Sequence, residues 1–354
     1  MESNVEILAE TLAGTEYTPG TTYLNTASTG LLPARTVTAM QQAITAASVG
    51  RPTDMFADVE ASRASFARLA GVPASRVAAG ASVAVYTGLI ATSLPAGAEV
   101  LVADGDFSSV VNPFVVRGDL DVRSVPLEAL ADAIRPGTAL VAVSAVQSAD
   151  GRLADLAAIR AAARAHGART LVDASQSAGW LPLGAGQDDF TVAVAFKWLT
   201  CPRGVAFLVV PENLGGLTPV FAGWVAGEKP WDSCYGPVAE LAHSARRFDE
   251  SPSLFSYAGA RHSLALIEDI GPGNIQRHNL ALADRFRAGL ERIGQQVVPA
   301  PGSAIVSVPG LGHRQGELGR AGIELSDRAG NLRAAFHLYN STAEVDKLLD
   351  VLAG

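Results

Sequence analysis

Apolar positions along this chain follow two alternating rhythms. From Arg35 to about Val210, stretches with apolar residues three and four apart alternate with short runs that are almost wholly apolar. The first rhythm predicts helices over 36–49, 56–69, 83–91 and 153–166. In the last of these, Leu153, Leu156, Ile159 and Ala163 line one face, and Gly167 follows as a stop. The second rhythm predicts strands at 100–102, 122–125, 140–143, 170–172, 192–195 and 205–210. These runs are rich in valine and lack polar alternation, as strands buried on both faces do. Strand, helix, strand at this spacing implies right-handed crossovers and a mainly parallel sheet. Ligands of such sheets bind beyond the carboxyl ends of the strands, so polar residues there carry functional weight.

The stretch 211–252 breaks both rhythms. It is rich in Gly, Pro and Trp, with Gly223, Trp224, Gly227, Pro230, Trp231, Gly236 and Pro237, and reads as an ordered excursion over a site or an interface. Beyond it the pattern predicts helices over 257–270 and 275–293 and β-like runs at 304–308 and 334–337. A terminal helix follows over 342–352, with Thr342 as its N-cap. The expected division is an N-terminal arm over 1–20, a large α/β domain over 21–245 and a smaller C-terminal α+β domain over 246–354.

Composition narrows the class. With 48% hydrophobic and 18% charged residues over 354 positions, the chain can offset the entropy of ordering a core, which excludes a disordered protein. A net charge of −8 gives no general attraction to nucleic acid or anionic lipid. Cys201 and Cys234 cannot build a disulfide framework. No apolar run has the length of a membrane span, and Met1 to Asn4 lack the basic start of an export signal. The expectation is a cytoplasmic enzyme without nucleic-acid or membrane partners. The histidines show no metal-ligand spacing, so no metal is expected, and His262 and His278 are expected at a surface or interface.

Only three lysines are present, Lys197, Lys229 and Lys347. Lys197 stands just after an apolar strand and before Trp198, Leu199, Cys201, Pro202, Arg203 and Gly204. A lysine there either snorkels to water or, once desolvated, loses its proton and becomes a nucleophile able to form a Schiff base. Asp173 ends the preceding apolar strand, with Gln176 three residues on. Alone it reads as a cap for the following turn or as a carboxylate for a protonated ring nitrogen. Together, an acid and a lysine on consecutive buried strands match what pyridoxal phosphate requires of a protein.

These residues resemble the aminotransferase class V family of pyridoxal phosphate enzymes, which includes cysteine desulfurases, kynureninases and isopenicillin N epimerase. Asp173, Gln176, Phe196, Lys197, Trp198, Pro202 and Gly204 carry the central likeness. Tyr23 to Pro33 resembles the family's N-terminal signature, and Arg247, Phe248, Asp249, Ser251 and Pro252 its interdomain segment. Leu332, Arg333, Phe336, Tyr339, Asn340 and Glu344 resemble its C-terminal signature.

The resemblance implies fold type I, with a seven-stranded sheet, a homodimer, and pyridoxal 5′-phosphate as cofactor. It makes Lys197 the Schiff-base lysine and the proton shuttle at Cα, and Asp173 the partner of the ring nitrogen. Gln176 would touch the ring oxygen and Phe107 would stack on the ring. Ala81 and Ser82, at a helix N-terminus, would bind the phosphate, with Ser251 or its neighbours arriving from a second subunit. Arg333 would grip the α-carboxylate of an amino-acid substrate, with Asn25, Gln147 and Ser148 nearby. Arg247 is a candidate for the rim.

Three departures qualify this picture. The stretch from Ser326 to Asn331, where desulfurases carry a cysteine nucleophile, has none. Val194 and Phe196 occupy the region just before the lysine where many relatives have a Ser or His that binds phosphate. Ser148 stands where relatives often have Asn. The leading reading is transamination or β-elimination of the C–S lyase type. An epimerase, a kynureninase-like hydrolase, and a degenerate binding subunit remain as alternatives.

Overall fold

The computed structural model describes residues 11–51 and 54–354, without the Met55 side chain. Half of the arm expected over 1–20 therefore lies outside the described residues. The strands are β1 (Thr22–Tyr23), β2 (Val77–Gly80), β3 (Glu99–Ala103), β4 (Asp121–Val125), β5 (Thr138–Ser144), β6 (Arg169–Asp173), β7 (Phe190–Val194), β8 (Ala206–Val209), β9 (Ile305–Val308), β10 (Ile323–Glu324), β11 (Ser326–Arg328) and β12 (Asn331–Ala335). Seven of them form one sheet in the order β2-β8-β7-β6-β5-β3-β4. Only β8 runs against its neighbours, so the sheet is mainly parallel.

Alternation along the strands shows why the runs are so apolar. Val100, Val102, Leu140 and Ala142 face helices Val83–Thr92 and Ser108–Val115. Leu101, Val141 and Val143 face the opposite way, against Leu130 and Ile159. Every residue of β3 and β7 is buried. The expected helix over 153–166 begins at Leu156, because Asp155 caps it by accepting from the Ala158 N–H.

The sequence pattern missed β2. Its four residues, Val77 to Gly80, are too short and small to stand out, and pairing with β8 defines them. The terminal helix Thr342–Ala353 is capped by Ser341, not Thr342, in a reciprocal capping box with Glu344. The run expected at 334–337 is a strand that starts at Asn331, because β11 and β12 form a hairpin through Ala329 and Gly330, both with positive φ.

A second core lies under the antiparallel sheet β11-β12-β9, where Leu282, Phe286 and Leu290 of helix Pro272–Arg292 meet Val345, Leu348 and Leu352. Leu24, next to β1, is buried in this C-terminal core. Helix Leu254–Ile270, expected in the C-terminal unit, instead packs Tyr257, Ala260 and Leu264 into the core of the large sheet. His278 is buried, with Nε2 against the Asn340 carbonyl oxygen at 3.0 Å, which corrects its expected surface position. The excursion 211–252 is a series of short 3₁₀ turns, tied down by Arg246, which donates to the carbonyls of Val225, Gly227 and Glu228. No helix among the described residues is long and apolar enough to cross a membrane.

Edge strand β2 is anchored by a buried ion pair. Arg63 Nη2 lies 2.6 Å from Asp249 Oδ2, and Asp249 Oδ1 also accepts from the Ala79 N–H at 2.8 Å. Arg63 in turn donates to the Val77 carbonyl at 2.7 Å. Asp249→Asn removes the buried one of Arg63's two carboxylate partners and leaves the more exposed Glu60 at 3.1 Å, so the cost should fall below the roughly 3–5 kcal/mol of a fully orphaned buried charge. The variant's melting temperature should fall by several degrees. An unchanged melting temperature would show that β2 does not depend on this pair.

Candidate active site

The carboxyl ends of β5, β6 and β7 meet at one edge of the sheet. Asp173 is the last residue of β6, in register with Ser144 on β5 and Val192 on β7. Lys197 follows β7 within the loop that returns as β8. That loop is tightly held. Thr200 sits at φ 52°, a strained conformation for a β-branched residue. Its N–H bonds the Lys197 carbonyl, its hydroxyl accepts from Tyr17, and its own carbonyl accepts from Ser263. A Cβ on Gly30 would lie 2.0 Å from the Lys197 carbonyl oxygen, so only glycine fits there.

These residues open onto a cavity of about 430 Å³. Lys197, Asp173, Ser82, Phe107 and Ser148 line it, together with Ser28, Ser109, Ser175, Arg203 and Arg328. Lys197 is 6% exposed and Asp173 4%. Burial lowers the Lys197 amine to about 8, with Arg333, Arg203 and Arg328 adding to the shift and Asp173 opposing it. Burial raises the Asp173 carboxyl, against the pull of Ser175 and Lys197. The Lys197 ammonium lies 5.1 Å from the centre of the Phe107 ring. Ser82 is the N-cap of helix Val83–Thr92, and Ala81 precedes it, half-buried.

Arg333 lies on β12, 1% exposed, just behind the cavity wall. It donates to Ser28 Oγ at 2.7 Å, to Ser148 Oγ at 3.2 Å, to the Ser148 carbonyl and to Ser326 Oγ at 3.1 Å. All of these partners are neutral oxygens. Burial lowers this guanidinium to about 9, and the nearby Arg328 adds to the effect.

The other expected residues stand further back. Gln176 donates to the Ala27 carbonyl and to Ser148 Oγ and accepts from the Trp198 indole, so it is pinned behind the cavity wall. Gln147 donates to Asp106 Oδ2 and the Ser144 carbonyl and does not line the cavity. Asn25 pairs with Ala335 beside Arg333, and its buried Oδ1 has no partner. Ser251 is exposed and lies outside this cavity, as does Arg247. Cys201 is buried, its thiol turned toward the Leu199 carbonyl, with burial pushing its pKa up.

Sequence reasoning missed several contributors. Asp106 accepts from the Ser144 backbone and hydroxyl, from Gln147 and from the Phe107 N–H, and so fixes the turn that presents Phe107. Its position three residues after β3 was the available signal. His337, buried and lowered to about 3, bonds the Trp198 carbonyl at 2.8 Å and braces the lysine loop from below. Arg328, at the end of β11, gave no signal at all.

A family model described as aminotransferase class V matches residues 22–348. An uncharacterized aminotransferase of Bacillus subtilis, YcbU, is 30% identical over 267 residues, covering 71% of this chain and 70% of that protein. A kynureninase of Deinococcus radiodurans is 31% identical over 186 residues, 51% of this chain and 44% of that protein. The solved structure of a cystine C–S lyase, C-DES, is similar with a TM-score of 0.85 at 24% identity, covering 94% of this chain and 97% of that one, and shows the same fold.

The residues present fit pyridoxal 5′-phosphate. A desolvated amine suits its aldehyde, a buried carboxylate its protonated ring nitrogen, and the helix N-terminus at Ser82 its phosphate. With this chemistry gathered at the carboxyl edge of the sheet, and with the family match spanning both cores, the chain belongs to the aminotransferase class V family of pyridoxal phosphate-dependent enzymes.

Proposed function

We propose that this enzyme moves the Cα proton of an α-amino acid with Lys197 as its acid–base group, and that the outcome is transamination or β-elimination. The observation that supports this most is the identity of the groups facing the cavity. Among the described residues lining it, Lys197 is the one amine, and the other titratable groups are Asp173 and two arginines. Epimerisation with a base on each face, or hydrolysis with a water-activating His or Glu, has no such group in that lining.

Pyridoxal phosphate, when bound, supplies an aldehyde for amines and an electron-withdrawing ring. The chain's own residues do the rest. Asp173 holds a proton at the ring nitrogen, because a buried carboxylate gains most from a cationic partner. Phe107 covers one side of the cavity opposite Lys197, and Ser82 with the following backbone N–H groups faces the phosphate. Arg333 binds the substrate α-carboxylate, the counter-charge that its neutral partners do not provide. Lys197, neutral at moderately alkaline pH, accepts the Cα proton and returns it at a neighbouring atom. A persulfide relay is not part of this reading, because the hairpin Ser326–Ala335 bears no cysteine and Cys201 points into the core.

The two outcomes separate on co-substrate demand. Incubation of the holoenzyme with an amino-acid panel should give ammonia and a keto acid without any added acceptor if elimination operates. Turnover that requires an added keto acid marks transamination. No loss of Cα deuterium from any labelled amino acid would refute the proposal.

Two residue-level outcomes follow. In cofactor-free protein, labelling of Lys197 by an amine reagent should rise through pH about 8, where an ordinary lysine rises near 10.5. Labelling of Lys197 that rises only near pH 10.5 would show a solvated amine. Arg333→Lys keeps the charge but loses the two-pronged geometry, so kcat/KM should drop by about 1–3 kcal/mol, roughly 5- to 150-fold.

A further inference from the structure

We propose that Arg203 and Arg328 form a second anion subsite at the mouth of the cavity, and that the substrate amino acid carries an acidic group on its side chain. The inference rests on the assignment of Arg333 to the α-carboxylate.

Three guanidiniums converge on one loop. Arg333 and Arg328 both donate to the same Ser28 hydroxyl, at 2.7 and 2.9 Å, and Arg203 donates to the Thr29 hydroxyl at 2.9 Å. Among the described residues, none of the three meets a carboxylate within ion-pair distance. The chain has acids to spare, with a net charge of −8. Elsewhere it uses them, as in Arg160 with Asp188 at 2.6 Å and Arg285 with Asp346 at 2.7 Å.

The nearest candidates are committed to other bonds. Asp106 is taken by Ser144, Gln147 and Phe107. Asp327 turns away from Arg328 to accept from the Gly330 N–H. Asp173 is the one acid lining the cavity, and it sits at the strand end with Lys197.

Arg203 and Arg328 are exposed and solvated, but like charges gathered around neighbouring neutral hydroxyls repel, and an anion at the cavity mouth relieves that repulsion. One carboxylate cannot satisfy three guanidiniums. Arg203 is also pre-positioned, its guanidinium 4.2 Å from the centre of the Phe196 ring, so little freedom is lost on binding. Phe196, the residue before Lys197, thereby acts as a platform for Arg203. Arg203 and Arg328 line the cavity itself and share the Ser28–Thr29 loop with Arg333, the residue assigned to the α-carboxylate.

The test pairs binding with turnover. Calorimetry on the holoenzyme compares succinate and glutarate with propionate, in the wild type and in Arg203→Gln and Arg328→Gln. The dicarboxylates should bind about 10- to 100-fold more tightly than the monocarboxylate, and each variant should shrink that ratio. In turnover, the ratio of kcat/KM for aspartate or glutamate over asparagine or glutamine should exceed about 10 in the wild type and fall in the variants. Equal binding of mono- and dicarboxylates, or a variant-insensitive ratio, overturns the subsite. Retained dicarboxylate preference without turnover of any amino acid would uphold the subsite and count against the reaction proposed above. Indiscriminate turnover of neutral and acidic amino acids would do the reverse.

Discussion

An amine and a carboxylate are held out of water at the carboxyl edge of a parallel sheet, and much of the surrounding structure exists to keep them there. Burial works against both charges, lowering Lys197 and raising Asp173. Such a pair costs stability unless the fold fixes it. The fixing is visible at every contact of the lysine loop: glycine packing at Gly30, left-handed backbone at Thr200, and anchors from Tyr17, Ser263 and His337. Local strain at this one loop is offset by contacts from the N-terminal arm, the long helix Leu254–Ile270 and the C-terminal segment.

The second constraint is the mismatch between global and local charge. An acidic chain encloses a cavity whose mouth and rear wall present arginine. The net charge of −8 gives no general attraction to polyanions, while the role proposed for these arginines is to orient small anionic ligands. The same arginines act on the chemistry, because their positive charge helps to lower Lys197 and so keeps its amine neutral nearer to physiological pH.

Positioning is shared among residues that never line the cavity. Gln176 locks Trp198, Ala27 and Ser148 into one frame. Gln147 and Ser144 hold Asp106, which holds the turn of Phe107. The Arg63–Asp249 pair fixes β2 and with it the turn leading to Ser82. Each is a polar group satisfied by several partners, which gives rigidity at low cost.

Much was legible in the sequence. Valine-rich runs announced strands buried on both faces, and Asp173 and Lys197 at the ends of two of them announced the site, because a strand's end is a one-dimensional feature. The family signatures, from Tyr23 to Asn340, added the cofactor. The tertiary structure decided the rest. Whether Gln147 faces a ligand or Asp106, whether Leu24 serves one core or the other, and whether His278 is covered depend on partners 41 or more residues away in the chain. So does the convergence of Arg203, Arg328 and Arg333 on Ser28 and Thr29. No local pattern encodes these juxtapositions, because hydrophobic periodicity records only which face is buried, whereas the pairing of polar groups is set by how separate elements pack.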